Sequence, residues 1–295
     1  MTEETMKMDR HMSKQLLYLF LRLFFLCLSY AGNTCIILVM RHATWRKRAD
    51  TTKLLFCVLA VIDMCYMTTR VIFTFITIVV LESQNMIDIV FYGVRVSGVL
   101  MQTSLCVLTI LSMERVVCVF HPFNVHEYCN LRKIKIVLAV SIIVTFLLCV
   151  LETMMDIGMS DVSMTLSFAI PATIITLTTS AIVIKLCFVH KQELGRGRAG
   201  MSNTDATGLL IAANVCFLVT ILPLRIYDVF YLPMGDEIKK SNSDEVLSFC
   251  LDLLHDLNFV LNFLVYFTFS VSFRNDALIL MGCRSVPGNR AIHQV

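Results

Sequence analysis

Residues Thr109–Phe123 read TILSMERVVCVFHPF. An apolar run that begins near Ile87 ends here in two adjacent charges, Glu114 and Arg115, followed by His121, Pro122 and Phe123. A charge at the centre of a lipid-spanning helix costs about 2.5–3.5 kcal/mol on insertion scales. Two in succession therefore belong at the end of such a helix, where an arginine stem lies along apolar surface and its head reaches the polar boundary. The run over 87–120 is long enough to cross a bilayer core, which takes about 20 apolar residues.

The rest of the chain repeats this pattern. Seven apolar spans are expected, over 16–40, 52–80, 87–120, 132–153, 162–190, 206–232 and 246–270. The connectors RHATWRKRAD, LESQNMID, HPFNVHEYCNLRK, ETMMDIGMSD, HKQELGRGRAGMSNTD and PMGDEIKKSNSDE separate them. The 295 residues are 57% hydrophobic and 16% charged, against about 45–50% apolar usage in soluble domains. The fold class is thus an all-α membrane protein, a seven-helix bundle. Unbroken apolar runs of this length exclude a transmembrane β-barrel, whose strands alternate. The segments are a short N-tail (1–15), the bundle (16–270), an interfacial helix (271–282) and a tail (283–295). No cleavable leader is expected before the first span, which is expected to serve as the targeting signal.

Basic residues set the expected orientation. Arg41, Arg46, Lys47 and Arg48 follow span 1; Arg132, Lys133 and Lys135 follow span 3; Lys191, Arg196 and Arg198 follow span 5; Arg274, Arg284 and Arg290 follow span 7. The alternate loops carry mainly acids, with Lys239 and Lys240 their only basic residues, and outweigh the N-tail's Lys7, Arg10 and Lys14. This places the N-terminus outside, the C-terminus in the cytosol, and the chain as a multi-pass protein of the plasma membrane with lipids as its surroundings. No basic, aromatic-interleaved face suggests nucleic acid. Twelve cysteines without a C-x-x-C pair, most of them inside spans, read as small apolar residues and not as a metal site. No nucleophile–base–acid array suits an enzyme.

Several spans hold polar groups. Asp63 lies ~18–20 Å from the expected cytosolic start of span 2 at 1.5 Å per residue. Asn258, Asn262 and Tyr266 recur every fourth residue, so they share one face of span 7. Asp63, Ser104, Asn258 and Asn262 are expected to meet near mid-membrane, with Asn33 contributed by span 1. Two readings stand: a polar network that fixes packing, or a hydrated Na⁺ site with Asp63 and Ser104 as ligands. Pro171 and Pro223 each loosen a helix, and Phe217, six residues before Pro223, suggests a hinge in span 6.

Taken together, residues 16–283 resemble a rhodopsin-like (class A) G-protein-coupled receptor. GNTCIILV carries that family's Gly-Asn as Gly32 and Asn33, and LAVID its Leu-Ala-x-x-Asp, ending in Asp63. SMERVVCVFHPF resembles its Asp-Arg-Tyr segment, and FLVTILP its Phe-x-x-Cys-Trp-x-Pro. Pro171 matches the span 5 proline, and NFVLNFLVYFTFSVSF resembles Asn-Ser-x-x-Asn-Pro-x-x-Tyr with its later Phe. The resemblance implies a receptor for an extracellular ligand that activates heterotrimeric G proteins. It implies that Glu114 restrains Arg115, that Arg115 and Tyr266 take part in the coupling switch, and that Pro122 and Phe123 open a docking loop with Phe123 as its apolar anchor.

The chain departs from the family at specific positions. Asn203 stands 20 residues before Pro223, where many members carry an acid; Asp205 is the nearest. Thr179 replaces the helix 5 tyrosine, Ile221 the tryptophan toggle, and Phe263 the helix 7 proline. The usual disulfide is missing: Val90 stands in place of its helix 3 cysteine. A weakened resting restraint and raised basal signalling are expected. Ser97 occupies the site of the aminergic aspartate, so an amine clamped there is not expected. The opposite half also holds Arg70, Arg95, Arg225, Asp228, Asp252, His255 and Asp256. These charges either pair with one another, as Arg225 with Asp252 or Arg70 with Asp256, or line a pocket for a charged peptide or acidic metabolite. Residues 273–281, FRNDALILM, read as an interfacial helix, with Cys283 beyond it as a palmitoylation candidate. Competing readings are a receptor-like decoy without G-protein coupling and a small-solute transporter. No protein cofactor is expected beyond a structural Na⁺.

Overall fold

The computed structural model describes residues 3–41, 50–79, 86–155, 160–193, 201–231 and 242–283. Seven long helices dominate: α1 (Glu3–Arg41), α2 (Asp50–Val79), α3 (Met86–Phe120), α4 (Leu131–Met155), α5 (Ser160–Glu193), α6 (Met201–Tyr231) and α7 (Asn242–Phe269). A short helix, α8 (Val271–Leu280), follows. Each of α1–α7 contains a stretch long and apolar enough to cross a membrane, the shortest being Leu131–Leu151 and Phe168–Phe188 at 21 residues. All seven expected spans coincide with these helices.

The helices form a closed ring: α1 packs on α2 and α7, α2 on α3, α3 on α5, α5 on α6, and α6 on α7. Helix α3 also touches α4 and α6, so it is the central post of the bundle. The core lies around it, with Leu105, Leu108 and Leu111 of α3 buried against Leu55 and Leu59 (α2), Ile175 and Ile182 (α5), and Leu209, Phe217 and Ile221 (α6). Helix α4 covers one side only. Its Val140, Ile143, Phe146 and Leu147 face outward, where lipid and not water is the solvent.

Two glycines set helix spacing. A Cβ on Gly32 would lie 2.8 Å from Phe263 Cβ, so α1 approaches α7 only because that position has no side chain. A Cβ on Gly93 would meet the Phe73 ring at 2.4 Å, which gives the same reason for the α2–α3 approach. Phe263 thus fills the groove that Gly32 opens.

Residues 1–15, expected as a tail, continue α1 from Glu3 onward. Glu, Met, Lys and Gln are good helix formers, so the polar segment extends the span. Helix α8 starts at Ser270, whose side chain accepts from Phe273 N at 3.1 Å. It stops at Gly282, at φ 73°. There Gly282 N donates to Ile279 O (3.0 Å) and Cys283 N to Leu278 O (2.9 Å), a left-handed glycine cap that satisfies the last carbonyls. Buried Phe273 packs edge-on against Tyr266 at 5.8 Å and anchors α8 beneath α7. The tail beyond Cys283, and the basic residues at 46–48 and 196–198 used for orientation, lie outside the described residues.

Candidate functional site: two polar systems at opposite ends

At the Arg115 end, the charge pair is not splayed toward solvent. Glu114 is 2% exposed and Arg115 8%. The first turn of α2 covers them: Thr51 and Thr52 (3.0 Å) both donate to Glu114 Oε1, and Arg115 Nη2 donates to Thr52 Oγ1. Arg115 Nη2 also lies 3.8 Å from Glu114 Oε2. The Thr-Thr pair of α2 was not singled out from the sequence, although two hydroxyls opening a span are a recognisable signal.

A second tie on the same half joins α3, α5 and α6. Asn214 is fully buried; its Nδ2 donates to Ser112 Oγ (3.0 Å) and Thr179 Oγ1 (2.7 Å). Thr179, the departure noted in span 5, makes a neutral bridge with Asn214. Beyond α3, Pro122–Asn124 form one 3₁₀ turn, and Phe123 at its centre is 96% exposed. Cys129 sits in the same loop, its thiol pushed up to about 11, chiefly by burial.

The mid-bundle residues divide into three groups. Asp63 is buried and accepts from Ser104 Oγ (3.3 Å) and Asn262 Nδ2 (2.6 Å). Asn258 turns away to accept from Thr220 at 3.1 Å, linking α7 to α6. Asn33 donates to Ser29 Oγ (3.0 Å) and the Phe259 carbonyl (3.2 Å), linking α1 to α7. Only Asp63, Ser104 and Asn262 therefore converge directly. For a sodium ion, Asp63 and Ser104 offer oxygens, whereas Asn262 presents N–H. No group of three or more His, Cys, Asp or Glu able to hold a metal occurs among the described residues. Tyr266 is buried edge-on to Phe56 at 5.1 Å, and its hydroxyl lacks a hydrogen-bond partner among the described residues. Pro171 lies inside α5 and Pro223 inside α6, with Phe217 buried against Phe168 at 6.3 Å between ring centroids.

At the other end, four charges close on themselves. Arg22 of α1 donates through Nε to Asp256 Oδ2 (3.1 Å) and through Nη2 to Asp252. Arg70 of α2 donates through Nε to Asp256 Oδ1 (3.2 Å) and through Nη2 to Asp252. Each aspartate thus bridges both arginines, and Arg22 Nη1 adds Thr74 at 2.6 Å. The Tyr66 hydroxyl lies 3.1 Å from His255 Nδ1 and 3.4 Å from Asp256 Oδ1. Arg225 pairs with Asp228 at 3.2 Å, one turn along α6, and not with Asp252. Ser97 is buried on α3, one turn from Met101. Arg22, the fourth member of the knot, is hard to single out in sequence because one arginine near the start of a span resembles a boundary residue.

Residues 32–161 match the family model described as 7 transmembrane receptor (rhodopsin family). That stretch contains Asn33, Asp63, Ser104, Glu114 and Arg115, and α5–α7 lie beyond it. No curated protein matches the chain.

Proposed function

We propose that this seven-helix membrane protein of the rhodopsin receptor family binds an extracellular ligand at its Arg70 end and activates a heterotrimeric G protein at its Arg115 end. The observation that carries the reading is the Arg115 site. A buried arginine is held by Glu114 and Thr52, and the loop that follows its helix carries Phe123, 96% exposed. Release of Arg115 from α2 would present a guanidinium where Phe123 already offers an apolar anchor. Bulky apolar residues seated in a partner's pocket are frequent binding hot spots.

The loop charges support placing the Arg115 end in the cytosol and the protein in the plasma membrane. Asp63 and Ser104 would hold a Na⁺ ion whose exchange is coupled to the switch; when bound, the ion would offset the buried carboxylate. Exposed Cys283, directly after α8, is the proposed lipidation site, whereas burial disfavours the Cys129 thiolate.

Among the described residues Arg115 is held by Glu114 and Thr52; the side chains of Asn203 and Asp205 lie outside them. The neutral Asn214 bridge restrains α6, and neutral hydrogen bonds contribute about 0.5–1.5 kcal/mol each, less than bonds to charged groups. This favours raised basal signalling. The test is a G-protein dissociation panel on the wild type and Arg115→Ala, without ligand, at matched surface expression. The proposal expects at least one subtype to dissociate above mock with the wild type, and Arg115→Ala to abolish it. Surface expression with no dissociation in any subtype would favour the decoy reading.

A further inference from the structure

The charged groups at the Arg70 end are unequally satisfied. Arg22, Arg70, Asp252 and Asp256 saturate one another across α1, α2 and α7. Arg225 of α6 is different. Its Nη1 reaches Asp228 at 3.2 Å, but its Nη2 points at the Met101 thioether at 2.7 Å and its buried Nε has no hydrogen-bond partner among the described residues.

A second nitrogen converges on the same sulfur. His255 Nε2 lies 3.2 Å from Met101 Sδ. The Tyr66 hydroxyl has one proton. Where it goes to His255 Nδ1, 3.1 Å away, the ring's own proton sits on Nε2; Asp256 Oδ1 lies 3.4 Å from the same hydroxyl and 3.8 Å from Nδ1. Two N–H groups, from α6 and α7, then aim at one thioether on α3. A thioether is a weak acceptor, and buried donors of a guanidinium ordinarily find oxygen. Methionine is also the most readily displaced of core side chains, unbranched and with three rotatable bonds. The Phe168 ring, with its centroid 5.9 Å from Arg225 Cζ, supplies an apolar and cation-binding wall on α5.

We propose that Arg225 and His255 form the recognition site for a carboxylate of the receptor's ligand, with Met101 as the side chain it displaces. The carboxylate accepts from Arg225 Nε and Nη2 side by side, the geometry in which guanidinium and carboxylate match, and from His255 Nε2. Asp228, about one-third exposed, lies beside the site and receives an ammonium where the ligand has one. The inference rests on the receptor reading above for its biological meaning, and its chemistry is testable without any G protein.

The test uses the full chain in lipid nanodiscs and follows thermal unfolding. The probes are phenylacetate and 4-phenylbutyrate, their neutral amides, and phenethylamine. The carboxylates are expected to raise the midpoint by about 2–4 °C at saturation, with no shift from the amides or the amine. Arg225→Gln is expected to remove the shift. Met101→Ala, which vacates the space and keeps both donors, is expected to lower the concentration needed at least threefold, and it keeps the test decisive if Arg225→Gln does not fold. Equal shifts from carboxylates and amides, no shift from either carboxylate, or a shift retained in Arg225→Gln would each overturn the proposal. If the carboxylate shift is present while the coupling panel is silent, the signalling reading fails and the site stands. If coupling is present and the shift absent, the site alone fails.

Discussion

The two ends of the bundle are held by different kinds of interaction. At the Arg70 end, four formal charges on α1, α2 and α7 close into a knot, with Asp256 fully buried at its base. At the Arg115 end, α6 is tied to α3 and α5 through one asparagine and two hydroxyls. The difference is one of exchangeability. Removing one partner from a buried ion cluster strands the other charge, at about 3–5 kcal/mol. A neutral hydrogen bond contributes a net of roughly 0.5–1.5 kcal/mol and is readily replaced by another. On the proposed reading the first end holds α1, α2 and α7 in one arrangement, and the second would let α6 exchange between two.

The largest effect is expected at the knot. Asp256→Asn should cost about 3–5 kcal/mol, seen as a much lower unfolding midpoint and reduced surface expression. Arg22→Met together with Arg70→Met and Asp252→Leu should recover part of that loss, because no charge is then stranded. A midpoint for Asp256→Asn within a degree of the wild type would erase the distinction between the two ends. Next comes Gly32→Ala, which forces a methyl against Phe263 and should cost about 1–3 kcal/mol by overpacking. Adding Phe263→Ala should relieve it; failure to do so would mean that the α1–α7 spacing is set elsewhere.

Smaller in stability, but larger in output, is Asn214→Leu. Loss of two neutral bonds worth about 1–3 kcal/mol together shifts a two-state balance roughly 5–150-fold. Basal G-protein activation should rise accordingly, with little change in unfolding midpoint. The smallest expected change is Thr52→Val, which takes away Arg115's hydroxyl partner but leaves Thr51 on Glu114. Basal activation should rise by a factor of about 2–10. An unchanged value would mean that Thr52 packs beside the arginine without restraining it.

The architecture was legible because lipid makes one demand on sequence, length of apolar run, and seven segments meet it. Asp63, Glu114 and Arg115 stood out for the same reason, as charges where charge is costly. The ties that set the two ends apart were harder to read. Asn214 and Ser112 are neutral and single within apolar stretches. A hydroxyl there can simply bond its own preceding turn, as Ser112 also does with Leu108 O at 2.9 Å. Only packing shows that it has a second partner on another helix. The Arg225 pairing illustrates the converse. Asp228 is its i+3 neighbour on α6, and local helix geometry won over the long-range partner Asp252, which Arg22 and Arg70 had already taken.

The contrast between a fixed end and an exchangeable one is tested most directly by the position of the Arg115 end of α6. Spin labels at Gly208→Cys, where an added side chain meets nothing within 4 Å, and at exposed Arg132→Cys on α4 report that distance by double electron–electron resonance. The background replaces the accessible native cysteines by serine. With Asn214→Leu added, a second, longer-distance population should appear or grow, while labels spanning α1 and α7 at the Arg70 end keep a single distribution. An unchanged α6 distribution in Asn214→Leu would contradict the claim that this neutral bridge holds the switch.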